Sequence, residues 1–190
     1  MTTTTLDPVP MTGTGSPTDR MLTASLVVAP LLSLAAAPLY AAQGWDDPTG
    51  GVLHVLGALV YGLAVLRIAT WLPVDSWLTA ALVVTAVAGS IGNAAYGFEA
   101  IHQSFGDVAL VDRGGAAVLI KPLGLLFPLS LALVAVALQR LGRRLSAALA
   151  LVGAIGWPIA HIANVGAAAI VVNVVLVVAF GSVVWEVRRD

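Results

Sequence analysis

Beyond residue 20 the chain is a succession of six long apolar runs with short polar breaks, at roughly 21–42, 51–73, 77–103, 115–139, 145–164 and 166–186. A helix needs about 20 apolar residues to cross the hydrocarbon of a bilayer, so every run is long enough to span. Four of the breaks carry charges and turn formers: QGWDDPTGG, LPVDS, GDVALVDRGG and QRLGRR. The fifth, ANVGA, is weak, and residues 145–186 read as one helix would need extreme tilt. Asn164 and Gly166 supply turn chemistry there. The pattern therefore predicts a tight hairpin and six helices; without that turn the bundle has five. The expected fold is an all-α integral membrane protein, with a six-helix transmembrane domain over residues 20–187. Residues 1–19 are rich in Thr, Pro and Gly and lack a basic leader, which predicts a disordered tail and not a cleaved signal peptide.

Composition agrees with a lipid-solvated chain. Of 190 residues, 59% are hydrophobic and 10% charged, against about 25% charged in soluble domains. Net charge is −1 with no long basic run, so nucleic-acid binding has no electrostatic footing. The chain has no cysteine, which excludes disulfides, thiolate-ligated zinc, iron–sulfur clusters and a cysteine nucleophile. No P-loop, dinucleotide fingerprint or Gly-x-Ser-x-Gly elbow is present. The cations are unevenly distributed. With the N-terminus inside, Arg20, Arg67, Arg140, Arg143, Arg144, Arg188 and Arg189 lie on the cytoplasmic side, and only Arg113 and Lys121 on the other. This bias predicts a protein of the cell membrane with both termini cytoplasmic. Trp71, Trp77 and Trp185 then fall near the inner interface, and Tyr40 and Trp45 near the outer one, as an aromatic belt.

The polar residues inside the runs are distributed just as unevenly. The stretch GNAAYGFEAIHQSFGD, residues 92–107, brings Asn93, Tyr96, Glu99, His102 and Gln103 into the outer half of the third run. His54 lies at the outer end of the second run, and His161 and Asn164 at that of the fifth. Lys121 and Asn173 each fall about two turns in from the outer side, in the fourth and sixth runs. At about 100° per residue, Asn93, Tyr96, Glu99 and Gln103 share an arc of about 120°, with His102 about 60° beyond it. Trp157, His161 and Asn164 share a face at i, i+4 and i+7. Ionisable groups in a bilayer are costly unless they face the interior and find partners. Helices two to six should therefore turn these faces inward around a pocket in the extracytoplasmic half, with Lys121 as counter-ion to Glu99.

Four kinds of chemistry fit that layer. The first is a pocket that binds, and in one version transforms, a small or lipid-like molecule. Glu99, His161 and His54 would be its acid/base or contact groups, and Asn93, Tyr96, His102, Lys121, Trp157, Asn164 and Asn173 its lining. The second is metal or haem binding. Glu99-x-x-His102 has the i,i+3 spacing of carboxylate-bridged metal bundles, His54 and His161 would complete a zinc or iron set, and two histidines could ligate a haem. The third is a proton-coupled transporter, against which stand an apolar inner half and the lack of a visible inverted repeat. The fourth is a structural or accessory subunit in which the polar layer fixes helix register. Lipid bilayer and a small or lipid-like ligand are the implied partners. The residues name neither a reaction nor a ligand.

Overall fold

The computed structural model describes residues 15–187. It contains α1 (Pro17–Gln43), α2 (Pro48–Ala69), α3 (Trp77–Ser104), α4 (Ile120–Arg140), α5 (Arg144–Ile162) and α6 (Gly166–Val187). Among the described residues there is no strand, and all six helices are long and apolar enough to cross a membrane. Most of the expected tail and the basic residues Arg188 and Arg189 lie outside the described residues. Residues 17–19, which the pattern assigned to the tail, form the first turn of α1.

Local chemistry explains the helix ends. Ser16 accepts a hydrogen bond from the Asp19 amide and Asp47 from the Gly50 amide, each followed by a proline at the first helical position. The weak fifth break is a true turn. Asn164 takes φ of 54°, and the Val165 amide donates to the Ala160 carbonyl at 2.9 Å. That is a left-handed helix stop with asparagine in the place glycine usually fills.

Consecutive helices are antiparallel neighbours, and α6 packs against α1, so the six form a closed ring. One end carries Arg20, Arg67, Arg140, Arg143 and Arg144; we call it the basic end. There Arg67 pairs with Asp19 across α1 and α2 and lies 5.3 Å from the Trp71 ring. Arg143 sits 3.6 Å from Glu186, and Ser146 and Ser182 are 2.8 Å apart, joining α5 to α6. The other end carries the loops after α1, α3 and α5.

Between the ends, the ring is filled by apolar side chains. Leu26, Ile68, Leu82, Leu131, Leu138, Leu176 and Val183 are all buried. Within the same core Tyr61, Phe127, Trp157 and Phe180, from four different helices, meet edge to face. Their ring centroids are 5.1 Å (Tyr61–Phe127), 5.6 Å (Tyr61–Phe180) and 5.2 Å (Phe127–Trp157) apart. This aromatic layer reaches the polar end through Trp157, one helical turn before His161. The helix seams are tight where glycines let backbones touch. A β-carbon on Gly51 would meet the Gly97 carbonyl across α2 and α3, and one on Gly92 would meet the Leu123 backbone across α3 and α4. These close approaches bring the polar faces of α2, α3 and α4 together.

Candidate ligand-binding site

Two spaces occupy the polar end. The larger is a pocket of about 550 Å³ whose wall includes Tyr40, Trp45, Tyr96, Glu99, Trp157 and His161. Beside it, deeper and against α1 and α6, is a void of about 10 Å³ walled by Ser33, Tyr40, His54, Asn93, His161 and Asn173 among others. The void is room for about one water among polar partners. The pocket has the size of a small-molecule site.

His54 separates the two. It is buried, with Nδ1 3.3 Å from the Tyr40 hydroxyl and Nε2 3.0 Å from Asn93 Oδ1. A carbonyl oxygen only accepts, so Nε2–H donates to Asn93 and Nδ1 accepts from Tyr40. Both ring nitrogens are thereby used, and three helices are tied together. His161 is different. Its Nδ1–H donates to the Trp157 carbonyl at 2.9 Å, which leaves the Nε2 lone pair unengaged at the pocket wall. Its ring stacks on Trp157 at 4.1 Å and meets Trp45 and His54 edge on, at 5.0 and 5.9 Å. Tyr40 in turn stacks on Trp45 at 5.0 Å.

Glu99 is the outlier in this chemistry. Its residue is 3% exposed. Oε1 accepts a hydrogen bond from Gln103 Nε2 at 3.2 Å, and Oε2 is buried without a hydrogen-bond partner among the described residues. No cation among the described residues pairs with it. Removing a carboxylate from water without a counter-charge is expensive. Most buried polar groups in proteins are satisfied, so this one calls for an explanation.

The expected Glu99–Lys121 pair does not form. Lys121 lies 3.7 Å from Asp112, with both side chains largely exposed at the pocket rim. The reason is the segment before α4. Residues Leu110–Asp112 and Gly115–Leu119 form short 3₁₀ turns, so α4 begins only at Ile120. Lys121 therefore sits in the first turn of α4, and not two turns deep. The four-ligand metal set also fails to assemble. His102 is turned away from the pocket, 3.6 Å from Asp107, as its helical phase implied. Both nitrogens of His54 are engaged, which removes it as a zinc, iron or haem ligand. Among the described residues no three His, Asp or Glu side chains are placed to hold one metal ion.

The remaining candidates divide between the two spaces. Tyr96, Trp157 and Asn164 line the pocket, Tyr96 with its ring over Gly124 of α4. Asn93 and Asn173 line the void, where Asn173 donates to the Ala169 carbonyl of its own helix at 2.9 Å. Sequence reasoning assigned Tyr40 and Trp45 to an interfacial belt and left α1 out of the site. Applying the same depth argument to aromatic residues would have included them, because Tyr40 lies at the same level as His54.

No protein-family model, no curated protein and no solved structure matches the chain.

Proposed function

We propose that the chain is a polytopic protein of the cell membrane, with both termini cytoplasmic, that binds a small or lipid-like molecule in a blind extracytoplasmic pocket. Glu99 and His161 are the polar contacts, and Trp45, Tyr96 and Trp157 the apolar wall. The observation that carries this reading is Glu99: a buried carboxylate, half satisfied, in the wall of a pocket of about 550 Å³. Of the buried side-chain atoms without a hydrogen-bond partner among the described residues, Glu99 Oε2 is the one whose residue lines this pocket. His54, by contrast, has both ring nitrogens engaged. The aromatic layer of Tyr61, Phe127, Trp157 and Phe180, which meets the pocket wall at Trp157, favours binding over passage through the bundle.

Native mass spectrometry of the protein released from nanodiscs tests the reading. Wild type should carry a small-molecule or single-lipid adduct that Glu99→Gln and His161→Ala lose. Identical adduct patterns in all three proteins would leave only the structural role. Glu99→Gln should also gain stability, by about 1 kcal/mol, because the amide keeps the Gln103 bond while removing an uncompensated charge. Unfolding by SDS in mixed micelles measures this, and a clear loss of stability would contradict it.

Orientation is testable directly because the chain has no cysteine of its own. Asp46→Cys lies in the exposed loop after α1, and Asp75→Cys in the exposed loop between α2 and α3. A membrane-impermeant maleimide should label Asp46→Cys on intact cells and Asp75→Cys only after permeabilisation. The reverse order would invert the proposed topology.

A further inference from the structure

The wall of the pocket selects a class of ligand. Its charged groups are Glu99, Asp112 and Lys121, and the ammonium of Lys121 is already paired with Asp112 at the rim. With neutral histidines the lining is therefore net anionic, and its one uncompensated charge is the deepest. Two acceptors in this wall lack a donor: Glu99 Oε2, and His161 Nε2, a lone pair fixed by the Nδ1–H bond to Trp157. Acceptors without donors suit a ligand that brings its own N–H groups. Around them stand the rings of Tyr40, Trp45, Tyr96 and Trp157. Aromatic faces attract cations and repel anions. An anionic headgroup would face both an unpaired carboxylate and these rings. A neutral alcohol could donate to one acceptor and leave the carboxylate charge uncompensated.

We propose that the ligand is an amphiphilic amine, bound as its ammonium with Glu99 as counter-ion, His161 Nε2 as a second acceptor and the aromatic wall around its apolar part. This rests on the reading of the site as a binding pocket and adds the chemistry of the occupant.

Three probes that differ only in headgroup test it: dodecylammonium, dodecanol and dodecyl sulfate, titrated into wild-type protein in nanodiscs of neutral phospholipid. Quenching of tryptophan fluorescence, to which Trp45 and Trp157 contribute from the wall, reports binding. Dodecylammonium should bind about tenfold or more tighter than dodecanol, and dodecyl sulfate weakest, as a hydrogen-bonded charge pair predicts. In Glu99→Gln the ammonium advantage should fall to the dodecanol level. The order of the three probes on wild type decides the matter even if that variant does not fold. If dodecanol binds and the ammonium gains nothing over it, or if Glu99→Gln keeps the full advantage, the amine is overturned and the pocket stands. If none of the three binds, the pocket reading falls with it.

Discussion

Gly92→Leu should be the most disruptive single substitution at the polar end, lowering stability by about 3 kcal/mol or more. A β-carbon at this position would already lie against the backbone of Leu123 and Gly124. Backbone cannot rotate out of the way as a side-chain tip can, so α3 and α4 must separate along their length. Adding branched methyl groups forces that separation further. The same contact positions the pocket wall, because Tyr96 and Glu99 follow Gly92 on α3 and the Tyr96 ring packs over Gly124 of α4. Binding of any probe should therefore be lost together with stability. SDS unfolding in mixed micelles, followed by circular dichroism, measures the effect. A Gly92→Leu protein as stable as wild type would contradict the close approach of α3 and α4 at Gly92 and Leu123. Gly181, within α6 and with open space where a β-carbon would stand, is the matched position where added bulk meets nothing.

His54→Ala should cost about 3 kcal/mol. Two effects add. Removing the ring from a buried site leaves a cavity between the pocket and the small void, and large-to-small changes of this kind cost about 2–5 kcal/mol. The substitution also strands two partners, the Tyr40 hydroxyl and the Asn93 amide, in residues that are 4% and 2% exposed. Hydrogen bonds within membranes are individually modest, on average about 0.6 kcal/mol by double-mutant cycles, so the cavity is the larger contribution. The division can be measured. A cycle of His54→Ala with Asn93→Ala should give a coupling of about 0.5–1 kcal/mol, well below the cost of His54→Ala alone. A coupling that accounts for the whole loss would reverse the assignment and make the hydrogen bond the main support. His54→Ala and Glu99→Gln should thus move stability in opposite directions although both residues are buried and polar. One is satisfied on both sides and the other is not.

The elements themselves were legible because hydropathy and length decide them. Even the faint turn at Asn164 could be read, since asparagine tolerates the left-handed conformation that the hairpin requires. The side chains of the polar end were legible only by depth. Asn93, Tyr96, Glu99, Trp157 and His161 were expected at that level, and the structure has them in the walls of two adjoining spaces. Partner choice was not legible. Lys121 was matched to Glu99 by counting residues from the start of an apolar run. The 3₁₀ turns before Ile120 are as apolar as a helix, and hydropathy cannot tell one from the other. His102 shows the opposite case: its phase on α3 already separated it from Glu99, and the i,i+3 spacing to Glu99 was the misleading signal. Tyr40 was missed because an aromatic residue near a helix end has an adequate explanation at the membrane surface, and only its neighbours reveal another.

The ring itself has a consequence for how the protein is made. Every major helix seam but one joins neighbours in the chain, and the exception is α1 with α6. Contact order is therefore low through α5, and successive hairpins can enter the bilayer and pair as they emerge. Closure waits for the sixth helix. Until α6 docks beside α1, the void has no wall at Ala169 and Asn173, and the Tyr40–His54–Asn93 group faces lipid or water in place of protein. A nascent chain stopped after α5 should thus hold its helices and the residues that line the larger pocket, and lack the void beside it, which makes docking of α6 the step that closes the ring and encloses His54.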